Sequence, residues 1–194
     1  MCATAVVAAI LATFACRNRK RTLAALTLFL AGCSLVAVTA QSAADARVQL
    51  QLKQLFPSAA AFSPKDGQPP HFSAYLIDAA SRLRTLGGVA FWTTDLQPLE
   101  RGYDGPIKIL VGLDTKGIIT GIIVTEHREP YGNFSIDLPQ FAAQFKGKSI
   151  RDPFKVGADI DAVSRASISI GSATRAIRNS ARRMARELPL PEAR

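Results

Sequence analysis

Cysteine is missing from most of this chain. Cys2, Cys16 and Cys33 are its only thiols, and all three precede residue 47, in a stretch that does not read as folded protein. The remainder therefore lacks the usual ligands for c-type haem or an iron–sulfur cluster and cannot form a disulfide. Histidine is scarce as well: His71 and His127 are the only two in 194 residues. Two imidazoles with no thiolate beside them make a poor zinc site and a thin supply of general base. No Ser/His/Asp set and no phosphate-binding loop stands out, so a conventional enzyme ranks low. If this chain moves electrons, an organic cofactor has to carry them.

Charge is absent from residues 22–44, directly after the basic cluster Arg17-Asn-Arg-Lys-Arg21. That order is the pattern of an export leader, with the positive end kept in the cytoplasm. Val38-Thr39-Ala40 and Ala44-Asp45-Ala46 both offer small residues for cleavage, while the uncharged run is also long enough to stay as an anchor. Either way the following domain faces the periplasmic side of the cytoplasmic membrane. Leu30-Ala31-Gly32-Cys33 resembles a lipobox, although the apolar run from Ser34 to Ala40 is unlike a lipoprotein's polar tether. Met1 to Cys16 is a second, shorter apolar run: an artefact of the start site or half of a membrane hairpin. The expected organisation is a signal peptide or N-terminal membrane anchor over 1–46, one folded domain over 47–188 and a tail over 189–194.

The leader holds 4 of the 24 Lys/Arg and 1 of the 15 Asp/Glu, so residues 47–194 carry 20 basic against 14 acidic groups. Six arginines fall between Arg175 and Arg194. In an exported protein such a segment meets anionic lipid head groups or acidic partner surfaces first. It lacks the interleaved aromatics of a nucleic-acid binder, so nucleic acid is not expected as a partner.

Periodicity predicts a short helix over Val48–Phe56 ended by Pro57, a Gly/Pro-rich turn over Lys65–Pro70, and strands over His71–Asp78 and Gly87–Thr94. Ile107–Leu113 and Ile118–Glu126 form the clearest hairpin, joined by the turn residues Asp114-Thr-Lys-Gly117. Leu138–Phe145 reads as a short helix. A longer one follows, with Ala173, Ala176, Ile177, Ser180, Ala181, Met184 and Leu188 on one face and Ser172 as its N-cap. There is no internal repeat. Strands in a meander with helices before and after give an α+β domain built on an antiparallel sheet.

The chemistry concentrates just ahead of that last helix, in Asp161-Ala-Val-Ser-Arg-Ala-Ser-Ile-Ser169. A serine hydroxyl can carry a nucleotide cofactor through a phosphoester. That requires an exposed oxygen and nearby donors for the remaining phosphate charge. Ser167 has Arg165 beside it and a helix N-terminus following, with Ala166 and Ala173 leaving room. On these grounds alone, a Ser/Ala-rich segment before a helix is more ordinarily a cap.

The same stretch resembles the flavinylation motif of the FMN-binding domain family, which reads Asp-x-x-Ser/Thr-Gly-Ala-Thr-x-Ser/Thr. That family includes the periplasmic domain of NosR/NirI-type proteins and the covalent-flavin subunits of the Rnf and Na⁺-translocating NADH:quinone reductase complexes. Two departures stand out: Arg165 replaces the usual Gly, as in the NosR-like branch, and Ser167 replaces the flavin-bearing Thr. Gly88-Val-Ala-Phe-Trp-Thr-Thr-Asp-Leu96 is similar to a strand-to-loop segment of that branch. Gly102-Tyr-Asp-Gly-Pro-Ile107, with Val111-Gly112, is similar to its hairpin. Gly117-Ile-Ile-Thr-Gly-Ile-Ile-Val-Thr-Glu-His-Arg-Glu129 and Ala176-Ile-Arg-Asn-Ser-Ala-Arg-Arg183 extend the likeness over most of residues 48–186.

The resemblance implies FMN covalently held on Ser167, with Ser164, Arg165, Ala166 and Ser169 around the phosphate. Gly102, Tyr103 and Gly105 on one segment, and the loop from Glu126 and His127 to Gly132 on another, would contact the ring. It implies an electron carrier rather than a stand-alone enzyme, a flavin transferase as the modifying enzyme, and membrane or periplasmic redox proteins as partners. The competing reading is a sensor module on the same fold that holds FMN without a covalent bond, or binds a partner. A third is a basic scaffold lipoprotein anchored through Cys33. Residue by residue the plainer assignments also stand. Gly102 and Gly105 serve a turn, Glu126, His127 and Glu129 end a strand in solvent, Trp92 belongs to the core, and Thr174 in Gly171-Ser-Ala-Thr174 is a helix cap rather than a second attachment site.

Overall fold

The structure, a computed structural model, describes residues 45–78 and 81–188. The expectations for the leader, for Cys33 and for residues 189–194 lie outside the described residues. The chain divides into two compact units, Met1–Val48 and Gln49–Arg194; of the first, only residues 45–48 are described.

Five strands form one antiparallel sheet in sequence order: β1 (Ala61–Phe62), β2 (Phe72–Ile77), β3 (Arg84–Trp92), β4 (Lys108–Asp114) and β5 (Ile119–Glu126). Helix α1 covers residues 45–55. A single turn, α2 (Thr93–Leu96), follows β3, a 3₁₀ turn covers Gly132–Phe134, and α3 (Pro139–Ala143) precedes the long α4 (Ser167–Glu187). The expected α+β architecture with a hairpin meander is therefore the observed one.

Both faces of the central strands are covered. Val89 and Phe91 of β3 and Ile109, Val111 and Leu113 of β4 join one core with Ile170, Ala173, Ile177, Ala181 and Met184 of α4. Their register partners Phe91–Val111 and Val89–Leu113 place them on the same side of the sheet. On the opposite side, Gly112 pairs with Gly121. A side chain at either glycine would press on Leu55 at 3.2 Å. Together with Gly88 they leave a smooth patch on which the buried Leu55 and Phe56 rest. Burial on two faces is why β4 reads as an almost unbroken apolar run rather than an alternating one.

The β4–β5 turn is set by Asp114. Its Oδ1 accepts the N–H groups of Lys116 and Ile118, both at 2.8 Å, and Gly117 supplies a φ of +76°. Strand β3 stops at Trp92 because the Thr93 hydroxyl turns inward to β4. It donates to the Ile107 carbonyl at 3.2 Å and accepts the Ile109 N–H at 3.1 Å. Trp92 itself is buried.

The long helix departs from its expected start. It begins at Ser167, so Ser172 is an interior residue with 1 % exposure rather than an N-cap. Thr174 is likewise buried inside the helix and caps nothing. Serine favours caps only where its hydroxyl competes with the backbone in solvent. Here Ser169, Ser172 and Ser180 face the core, where their small size lets the helix approach the sheet. Among the described residues, no helix is long and apolar enough to cross a membrane.

Candidate functional site

The first turn of α4 is an uncapped helix end. Arg165 sits in the left-handed region at φ +67°, and Ala166, the N-cap, has no side-chain capping bond. The first helical hydrogen bond runs from the Ile170 N–H to the Ala166 carbonyl at 3.0 Å. The N–H groups of Ser167, Ile168 and Ser169 thus have no backbone acceptor among the described residues. Ser167 and Ile168 are exposed, Ser169 is buried, and Arg165 is exposed with no ion pair among the described residues. Positive potential and free donors meet at one exposed hydroxyl.

Two other segments face this turn. One is the tight loop 102–105, closed by the Gly102 N–H to the Gly105 carbonyl at 2.7 Å, with Gly105 at φ +127°. The other leaves β5 and carries His127, Glu129, Pro130 and Tyr131. Between them and α4 lies a cleft of about 580 Å³, lined by Tyr103, Pro130, Tyr131, Arg165, Ser167, Ile168 and Ser169. Tyr103 is 70 % exposed, Ile168 57 % and Tyr131 47 %. An apolar, aromatic mouth with a cationic corner suits a flat ring system bearing a phosphate.

Behind the lining sits Glu129, only 6 % exposed. Its carboxylate accepts the N–H of Tyr103 at 2.9 Å, the N–H of Asp104 at 3.1 Å, and the hydroxyl of Ser169. Burial alone would push this carboxyl up. The Ser169 hydroxyl and the two N–H groups outweigh it and hold the group below its ordinary value of 4.5. His127 supports the same loop: its Nδ1 accepts the Glu129 N–H at 3.1 Å, so Nε2 carries the proton and donates to Asp137 at 2.8 Å. Gly102 and Gly132 make room for these groups, since a Cβ at Gly102 would overlap the Glu129 carboxylate and one at Gly132 the His127 ring.

The structure sorts the sequence-derived candidates. Ser167, Arg165, Ser169 and Tyr103 line the cleft. Ala166 is buried beneath the helix start, and Ser164 is exposed in the preceding turn without lining the cleft. Gly102 and Gly105 shape the opposing loop, and His127 braces Glu129 from behind. Glu126 is not brought in: it is an exposed strand end, paired with Lys108 at 2.8 Å. Pro130, Tyr131 and Ile168 join the lining without having been singled out. Glu129 was expected either at a solvated strand end or in the loop at the ring; it is the buried acceptor that ties the walls together. The donors to its carboxylate lie 25, 26 and 40 residues away in sequence, so no local pattern announces it. The arginine-rich helix is also less free than its composition suggests. Arg175 pairs with Glu100, Arg182 donates to the carbonyls of Ile150 and Asp152, and Arg183 to that of Leu96.

Comparison with known proteins gives the same picture from outside. Residues 102–182 match the model of the FMN-binding domain family. The chain is 32 % identical over 89 residues to a subunit of the ion-translocating oxidoreductase complex of Vibrio vulnificus (strain YJ016), covering 41 % of this chain and 42 % of that protein. It is 30 % identical over 125 residues to the protein of the same name from Pseudomonas aeruginosa (strain UCBPP-PA14), covering 61 % of this chain and 58 % of the relative. The chain thus spans about half the length of these curated relatives. The span that is similar to the FMN-binding domain family, residues 102–182, contains both walls of the cleft, from Gly102 through Glu129 to Ser169.

Proposed function

We propose that this protein is an exported, membrane-associated electron-transfer domain whose FMN is esterified through its phosphate to Ser167. The observation that carries the reading is the position of Ser167: an exposed hydroxyl in the first turn of α4, on the wall of an aromatic cleft. The residues present fit the cofactor. A volume of about 580 Å³ lies within the range of roughly 300–1,000 Å³ common for such sites. The free N–H groups of the helix start and the Arg165 guanidinium face where a phosphodiester would sit. Tyr103, Tyr131 and Ile168 offer flat and apolar surface for the ring.

Attachment is a phosphoryl transfer from a flavin dinucleotide by a flavin transferase. The Ser167 oxygen forms a bond to the FMN phosphorus, the pyrophosphate bond breaks, a nucleoside monophosphate leaves, and the serine proton passes to a base of the transferase. The bound flavin supplies reversible electron uptake. This chain's residues would hold the phosphate at the helix end and would offer the ring the aromatic surface of Tyr103 and Tyr131. A covalent bond suits a compartment where a released cofactor would be diluted away.

In this proposal residues 1–46 export or anchor the domain, residues 47–188 carry the flavin, and the partners are redox proteins in or beside the membrane. The names of the relatives, which place them in an ion-translocating oxidoreductase complex, support that last point. Arg165 in place of the family's Gly is the NosR-like feature of the motif. Co-export with a flavin transferase, followed by intact mass and in-gel fluorescence after denaturation, tests the reading. Flavin on the wild type and none on Ser167→Ala is the expected result. A colourless wild type would replace it with the non-covalent FMN or partner-binding module.

A further inference from the structure

We propose that Glu129 is the positioning residue for flavin loading: its carboxylate fastens the attachment turn to the opposite wall of the cleft and so sets the orientation of the Ser167 hydroxyl. The inference rests on the reading of Ser167 as the attachment residue.

The helix start needs an external tether. Ala166 gives it no side-chain cap, Arg165 holds a left-handed conformation that L-residues resist, and Ser167 and Ile168 point to solvent. Among the described residues, the one side-chain hydrogen bond made by residues 165–169 is that from Ser169 to Glu129. The same carboxylate takes the N–H groups of Tyr103 and Asp104, 26 and 25 residues away in sequence. Three donors from two separate segments converge on one group, which is the geometry of a clamp.

Glu129 does not itself line the cleft, so it acts through the groups it holds. An ionised carboxylate is the side chain that can serve all three donors, because both of its oxygens accept and neither carries a proton. Oε2 takes both the Tyr103 N–H and the Ser169 hydroxyl, while Oε1 takes the Asp104 N–H. In Glu129→Gln an NH₂ group at the first position therefore breaks the link between the walls, and at the second it unseats Asp104. Two glycines give up their side chains to this arrangement, Gly102 for the carboxylate and Gly132 for the His127 ring that braces it.

The test uses the full chain, purified without flavin, with flavin adenine dinucleotide and a flavin transferase. Loading is followed by intact mass for wild type, Glu129→Gln, Ser169→Ala, Ser169→Thr and the Glu129→Gln/Ser169→Ala pair. Wild-type circular dichroism at the assay temperature is required of each. Glu129→Gln is expected to slow loading about 10- to 100-fold, with the loss in kcat rather than in KM for the protein substrate. Ser169→Ala slows it too, Ser169→Thr restores it, and the pair is no slower than Glu129→Gln because both changes cut the same link. Independently of loading, amide exchange in Glu129→Gln accelerates in segments 102–105 and 164–170 and stays unchanged in β4 and β5.

If Glu129→Gln fails to fold, Ser169→Ala carries the test alone, since it cuts only the α4 side of the clamp. Wild-type loading in a folded Glu129→Gln or Ser169→Ala, or additive losses in the pair, would overturn the inference and leave Ser167 as the attachment residue. Wild type that takes no flavin, or Ser167→Ala that still takes it, overturns the underlying reading instead.

Discussion

Arg165 occupies a backbone conformation that belongs to glycine. At φ +67° an L-residue loses about 1–2 kcal/mol, of which the extra freedom of an unfolded glycine returns about 0.5–1 kcal/mol. Arg165→Gly is therefore expected to raise unfolding free energy by up to about 1.5 kcal/mol in a urea titration, whereas Arg165→Ala, equally strained, leaves it near wild type. The glycine of the resembling motif thus has a conformational reason, and this chain gives up that ease for a cation beside the exposed Ser167. Glu129 gives a second residue-scale expectation. Its folded value lies below 4.5, so its contribution is complete above that pH and fades as pH falls through the folded value. Glu129→Gln should cost about 1–3 kcal/mol at neutral pH. Urea titrations repeated toward acid should show the gap to wild type closing only below the ordinary carboxyl range.

Individual elements differed in how openly the sequence announced them. The β4–β5 hairpin was legible because its turn is local: Asp114 bonds Lys116, Gly117 and Ile118, all within four residues. The start of α4 was not, because Ser172 reads as a cap until the sheet that buries it is known. The site divides along the same line. Ser167, Arg165 and Ser169 share one short motif, but the clamping role of Glu129 and the lining by Tyr131 depend on contacts far apart in sequence. The arginines of α4 also separate by partner. Arg182 makes two bonds to loop carbonyls at 2.9 and 2.8 Å, and Arg182→Ala should cost about 1.5–3 kcal/mol by thermal or urea melting. Arg186 is exposed with no ion pair among the described residues. Arg186→Ala should change stability by less than about 0.5 kcal/mol and act, if anywhere, on sedimentation with anionic vesicles.

At the scale of the whole molecule, α4 holds the sheet together from one side. Ile177 is fully buried at the centre of that contact, and Ile177→Ala should lower unfolding free energy by about 2–5 kcal/mol. The strands pair strictly in the order in which they are synthesised, so the sheet can assemble from neighbours as they appear. The cleft cannot. Its last wall comes from residues 165–169, after every strand is complete. A polypeptide stalled or clipped before that point would present a finished sheet and nowhere to put a cofactor. Under the proposed function, colour in this protein would then be a certificate of completion, given only to chains whose final helix has docked.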